Sequence, residues 1–348
     1  MVSNIYYINN DKLIKRFVKD YSLPFSIAAN PAIPGVMHNI FVNELELYQD
    51  AFETVSKWNM LSEMINAKFN GNVDKFITYY YDVRNTIINK LIETNEYKKF
   101  NEKLDMKQFN MQFPYRVKYT SSIFNQETIN KKFICIDLRS ANYQILHKFG
   151  IVSEPDYSDF MANFTEHEYF KDSKYIRQYI FGNMNPKRQI TIEKYYMKLI
   201  YTDFFTDYNI AFFGNDEFYL EGEIDDNKIQ SLKKQIYDKY GLDTKIKNCI
   251  IEGYTCGIYR NVIEENSNNN MFTFFKKTNK DCSKYKSIPT YYSNVIMYAL
   301  YNNVKPLGYK NTDPVYSTEF CPEWTKVFLF NNEVPAKILN DFIIRKIS

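Results

Sequence analysis

The chain has 348 residues, 45% of them hydrophobic and 24% charged, enough for two or three compact units and incompatible with general disorder. Its 44 Lys and Arg against 41 Asp and Glu leave a net charge of +3, so only a local basic surface could serve a nucleic acid. Five scattered cysteines without metal-ligand spacing and only three histidines read as reduced thiols of a cytoplasmic protein and argue against a zinc site.

No apolar signal core opens the chain, and no stretch approaches the ~18 apolar residues of a spanning helix, so no membrane partner is expected. Aromatic residues reach 18%, with 31 Tyr and 28 Phe against 2 Trp. Part of this reflects the abundance of Asn, Lys, Ile and Tyr that AT-rich genomes impose, which suits a virus, a phage or a mobile element. A tyrosine ring is apolar with a polar tip, so many of them are expected half-buried.

Residues 1–114 read as a mostly helical N-terminal region, interrupted by a proline-bearing loop at SLPFSIAANPAIPGV. In NELELYQDAFETVSKWNMLSEMI, Leu45, Tyr48, Phe52 and Val55 share one helical face, and a second helix runs through VDKFITYYYDVRNTIINKLIE. Near residue 115 the pattern turns to β. YRVKYTSS and KKFICIDL are short β-rich runs, the second alternating Phe133, Cys135 and Asp137 against Ile134, Ile136 and Leu138. A helix is expected from about Ser140, followed by helices through 156–182 that end at Gly182 as a C′ residue. Asn185-Pro186 reads as an N-cap with proline at the first helical position. The helix it opens sets Ile192, Tyr195, Tyr196 and Leu199 on one side and Lys187, Lys194 and Lys198 on the other. YNIAFF and EFYLEGE form a hairpin about Gly214-Asn215. A helix over DNKIQSLKKQIYDKYG and the strands TKIKNCIIEGY and TCGIYRNV close the unit. Residues 263–348 read as a mixed C-terminal region, with EENSNNN a solvated loop.

Two segments are candidates for chemistry. In FICIDLRSANYQIL, Asp137 ends an apolar strand three residues before a helix, which suits either a ligand or a helix cap. In IAFFGNDEFYLEGE, Asp216 and Glu217 leave a tight turn between apolar strands, either as ligands or as decoration of an exposed hairpin tip. Together they order as strand with aspartate, helices, hairpin with aspartate, helix. Phosphoryl transfer to a growing strand uses two divalent ions ~3.5–4 Å apart. Mg²⁺ is satisfied by one or two carboxylates with waters and substrate phosphates, and two aspartates on adjacent strands supply that minimum.

FICIDLRSANYQIL resembles motif A of palm-domain nucleic-acid polymerases. Its IDLRSANYQI is similar to the first aspartate motif of reverse transcriptases, and Ser140 three residues after Asp137 is similar to family B DNA polymerases. IAFFGNDEFYLEGEIDDNKIQSLKKQIY resembles motif C of family A DNA polymerases, with Asn215 where that family has histidine. SKYIRQYIFGNMNPKRQ is similar to the family A fingers helix, with Arg177 and Phe181-Gly182 in place and Lys174 a turn earlier. The resemblance covers about residues 130–240, in the order A, B, C. The stretch between the fingers-like and C-like motifs is shorter than in family A, and the second tyrosine-glycine element is missing.

The resemblance implies an α+β fold: an antiparallel palm-like sheet with packed helices over 115–262, carrying a short fingers-like helical insertion at about 150–208. It implies a nucleotidyltransferase, a nucleic-acid polymerase adding nucleotides from nucleoside triphosphates to a 3′ end. Asp137 and Asp216 would hold Mg²⁺, or Mn²⁺ in its place, with Glu217 accessory. Lys174, Arg177, Lys187 and Arg188 would face the triphosphate. In FFKKTNKDCSKYKSIPTYY, Lys276, Lys277, Lys284 and Lys286 would grip nucleic acid in a C-terminal cradle; a solvated basic loop is the other reading. A non-catalytic viral or phage nucleic-acid-binding or assembly protein, and a two-metal nuclease, are the alternatives.

Overall fold

The computed structural model describes residues 8, 10–21, 41, 45–46, 49, 53–254, 257–263, 272–277 and 283–289; at 258, 262–263, 272–277 and 283–289 it describes the backbone alone. The proline-bearing loop, Tyr48, Phe52 and the region from 290 onward lie outside the described residues.

Ten α-helices are described: α1 (Asp11–Asp20), α2 (Thr54–Phe69), α3 (Val73–Glu93), α4 (Asn95–Lys98), α5 (Ala141–Lys148), α6 (Tyr157–Ala162), α7 (Glu168–Asp172), α8 (Lys174–Gly182), α9 (Pro186–Phe204) and α10 (Asp226–Tyr240). Seven strands accompany them: β1 (Lys132–Leu138), β2 (Ile210–Phe213), β3 (Glu217–Glu221), β4 (Thr244–Tyr254), β5 (Ile258–Ile263), β6 (Phe272–Lys277) and β7 (Ser283–Pro289). The sheet is open and antiparallel, in the order β2-β3-β1-β4-β5-β6-β7. The chain is therefore α+β.

Local sequence sets many of the boundaries. Asn185 accepts the Arg188 amide and Pro186 follows at the first turn of α9. Asp225 caps α10, and Gly241 ends it at φ 62°, where a side chain would be strained. Gly182 differs from expectation. It lies inside α8 and has no left-handed backbone; a Cβ there would sit 3.0 Å from the Asn142 amide nitrogen. Close approach of α5 to α8 favours glycine, not a C′ conformation.

The helical N-terminal region and the 150–208 helices share one core. Phe17, Trp58, Phe76 and Ile87 belong to the same buried cluster as Tyr143, Phe170, Phe181 and Ile192. Many rings meet edge-on, for instance Phe76 with Tyr169 at 5.8 Å and Tyr143 with Phe181 at 5.0 Å, as the ring quadrupole prefers.

A second core lies between sheet and helices. Ile134, Ile136, Leu138, Phe218, Leu220 and Ile246 face Met197 and Ile200 of α9 and Ile229, Leu232 and Ile236 of α10. The strand order β2-β3-β1-β4, with α5 to α9 between β1 and β2 and α10 between β3 and β4, is a strand–helix–strand–strand–helix–strand unit. The opposite face carries Phe133, Tyr219, Cys249, Ile251 and Tyr259, packed under Tyr119 and Ile123. There the covering segment comes so close that a Cβ on Gly253 would stand 2.3 Å from Ile129 Cδ1.

Two expectations are corrected, and one strand is less buried than its neighbours. YRVKYTSS forms only a parallel bridge from Val117 to Ile210 with two further amide bonds to β2, because it crosses the sheet edge as a cover. Phe212 is half-buried while Phe133, Ile134, Ile136, Phe218 and Leu220 are fully buried, because β2 is the edge strand. In the basic FFKKTNKDCSKYKSIP stretch the described residues belong to paired antiparallel strands over 272–277 and 283–289, not to a loop.

Candidate active site

β4 joins two half-sheets. Its residues 244–250 pair with β1 and its residues 249–254 pair with β5. The carboxylates of interest stand at the β1 end, and β5 to β7 extend toward the other.

Strand register composes the first rung. Asp137 faces Glu217 on β3 and Lys245 on β4. Alternation puts them on the face of Cys135 and Phe133, one rung beyond the packed Tyr219–Cys135 pair. Asp137 and Glu217 are half-buried and Lys245 is exposed. Their negative charge reaches inward: burial pushes the Cys135 thiol up, and Cys249, Glu217 and Asp137 push it further. Cys135 and Cys249 are free thiols.

The second rung holds Asp216, Leu138 and Thr244. The Leu138 amide donates to the Asp216 carbonyl at 2.9 Å, and Leu138 pairs with Thr244. The turn is closed by the Gly214 amide on the Glu217 carbonyl at 2.8 Å; a Cβ on Gly214 would lie 3.1 Å from that same oxygen. The N-cap of α5 is Ser140, at φ 51° with no side-chain cap bond, so Asp137 is a strand residue and not the cap. Gln144 of α5 donates to the Asp243 carbonyl and accepts the Asp243 amide, fixing the helix against the start of β4.

A third carboxylate comes from α9. Glu193 is 4% exposed, and its Oε1 is buried without a hydrogen-bond partner among the described residues. Burial first, and then the charge of Asp216, raise its pKa from 4.5 to about 7. Thr244 Oγ1 is buried and unpartnered at the same end. The sequence reading passed over Glu193, although Gln189, Ile192, Met197 and Ile200 define a buried stripe that includes it. Tyr195, Tyr196 and Leu199, expected on that stripe, are only half-buried.

The basic residues are less gathered. Lys174 is exposed at the start of α8, and Arg177 lies 5.7 Å above the Tyr157 ring, its pKa lowered by burial. Lys187 is exposed at the start of α9. Arg188 is engaged by the Leu104 carbonyl at 2.8 Å, and Lys198 by the Met111 carbonyl at 2.9 Å. Register sets Lys276 opposite Lys284 and opposite Tyr259, which itself faces Gly253. Eight residues of β4 separate Gly253 from Lys245, roughly 26 Å at strand rise. Lys277 takes the alternate position, and Lys286 falls where the β6–β7 register shifts.

Among the described residues no group of three or more His, Cys, Asp and Glu is arranged to hold a metal ion, and no helix is long and apolar enough to cross a membrane. The residues nevertheless suit Mg²⁺, which takes one or two protein carboxylates and completes its shell with water and phosphate. The orphaned Glu193 and Thr244 oxygens leave buried acceptor capacity beside Asp216. No family model, curated protein or solved structure matches this chain.

Proposed function

We propose that this chain is a compact palm-type nucleotidyltransferase that adds nucleotides from nucleoside triphosphates to a 3′ end. The observation that carries the reading is the rung in which Asp137 faces Glu217, with Asp216 on the next rung, at one end of a strand–helix–strand–strand–helix–strand sheet. That element order supports the palm reading, which the resemblance of the two acidic motifs suggests. In the reaction the 3′ hydroxyl oxygen bonds to the α-phosphorus, the bond to the bridging oxygen breaks, and pyrophosphate leaves. A divalent ion bound here supplies charge neutralisation for that displacement. Asp137 and Asp216 would hold it, and Glu217 would lend further negative charge. Glu193, on the helix side, is a further carboxylate close enough to Asp216 for their charges to interact. Lys187 and Lys174 are exposed and would face a triphosphate, and the rung of Lys276 and Lys284 lies far enough along the sheet to meet a duplex.

A non-catalytic nucleic-acid-binding role is favoured by one feature. Arg188 and Lys198 are tied to backbone carbonyls and do not stand free for phosphate. The test is incorporation of labelled triphosphates on a primed template with Mg²⁺. Asp137→Asn and Asp216→Asn should each reduce incorporation by about 100-fold or more while primer–template affinity is kept, and the double variant should add little. Near-normal incorporation by either variant rules the site out; absence of incorporation by the wild type favours the binding role.

A further inference from the structure

Away from the carboxylate end, α8 lies between α1 and α3, and a file of cations and tyrosines crosses the three helices. Lys19 of α1 sits 4.8 Å from the Tyr175 ring of α8, and Tyr175 is 6.0 Å from Tyr179 one turn on. Arg84 of α3 lies 4.1 Å from the Tyr179 ring and 4.8 Å from the Tyr81 ring. Its guanidinium is thus shared between two aromatic rings. Arg84 Nε is buried without an acceptor, and no carboxylate pairs with Arg84 among the described residues. Tyr81 is 40% exposed, and Lys15 and Lys19 are exposed on one face of α1.

The acids nearby are otherwise placed. Asp20 is fully buried and engaged by Arg16, Tyr80 and Tyr169. Asp74 pairs with Lys12, and Asp82 borders a different cleft of α3 with Asn72, Lys75 and Tyr79. Asp11, exposed one turn before Lys15 on α1, is an acid in line with the file; the rest is cationic and aromatic, whereas the whole chain is nearly neutral.

We propose that this α1–α8–α3 face binds single-stranded nucleic acid, with Tyr81, Tyr175 and Tyr179 as stacking platforms and Lys15, Lys19 and Arg84 as phosphate contacts. A cation held over a ring keeps the ring fixed and offers its own outer side to phosphate. Tyr81 is the exposed ring, Tyr175 and Tyr179 being half-buried beside it and Tyr175 lying under Arg16 as well as Lys19; an open ring face accepts any base, because every base has a π-face. In a duplex those faces are already stacked, and an acidic peptide has no use for the rings. The site does not depend on the nucleotidyl-transfer reading.

Fluorescence anisotropy of a labelled oligothymidylate with the full chain, without divalent metal, tests it. Tyr81→Ala should weaken binding by about 5- to 100-fold. Lys19→Ala should lower the slope of log affinity against log salt by about 0.7. Both side chains are exposed, so neither change threatens the fold, and Tyr237→Ala, which removes an exposed tyrosine of α10 outside this face, serves as a control that leaves this binding untouched. Unchanged affinity in Tyr81→Ala together with an unchanged slope in Lys19→Ala overturns the proposal. So does a duplex that loses as much affinity as the single strand in Tyr81→Ala, or polyglutamate binding that suffers equally.

Discussion

Asp20 and Glu193 are both buried acids on helices, and the molecule treats them in opposite ways. Asp20 accepts Arg16 through two nitrogens, the Tyr80 hydroxyl at 3.1 Å and the Tyr169 hydroxyl at 2.5 Å. Ser173 donates to its carbonyl at 2.8 Å. Burial raises the Asp20 pKa, and the Arg16 charge and these donors act against it. The network joins α1, α3, α7 and the start of α8, so the charge is used to lock helices together. Glu193 has no such partners. The charge that acts on it is that of Asp216, of the same sign. A compensated buried carboxylate is architecture; an uncompensated one beside a second carboxylate marks a place where a cation or a proton is needed.

The largest effect should come from breaking the closed network. Arg16→Ala leaves Asp20 buried without its counter-charge and should cost about 3–5 kcal/mol, read as a lowered denaturant midpoint. A midpoint that stays in place would mean that Tyr80 and Tyr169 suffice.

The open end should respond to pH in metal-free solution. Glu193 has a folded pKa near 7 against 4.5 unfolded, so between these values the folded state holds a proton that the unfolded state has lost. Stability is then full below about pH 4.5 and falls as pH rises to about 7, by about 3 kcal/mol in total. Glu193→Gln should flatten that part of the profile. An equally sloped profile in the variant would assign the dependence to other groups.

The smallest effect sharpens the comparison inside the closed network. Ser173 both bonds the Asp20 carbonyl and caps α8 through the Ile176 amide at 3.2 Å. Ser173→Ala should cost about 1 kcal/mol with no change in nucleotide incorporation. A loss of incorporation would show that the network reaches the carboxylate end.

Much of the local structure was legible in the residues themselves. The alternation of Phe133 to Leu138 predicts a strand with two different faces, and Asn185-Pro186 predicts where α9 begins. Gly214-Asn215 predicts the hairpin that brings Asp216 and Glu217 to a turn. These follow from short-range rules, in which side-chain period and backbone preference act within a few residues. The tertiary structure alone decided which residues meet. Register set Glu217, not Asp216, directly across from Asp137, and put Lys245 on its other side. Packing of α9 onto the sheet turned Glu193 from one more helix residue into a buried acid beside Asp216. The pairing of β4 with both β1 and β5 carried the basic strands into the sheet, some 26 Å from the carboxylates at strand rise. A helix or strand encodes its own faces, but the partner of each face lies tens of residues away, and only the closed chain chooses it.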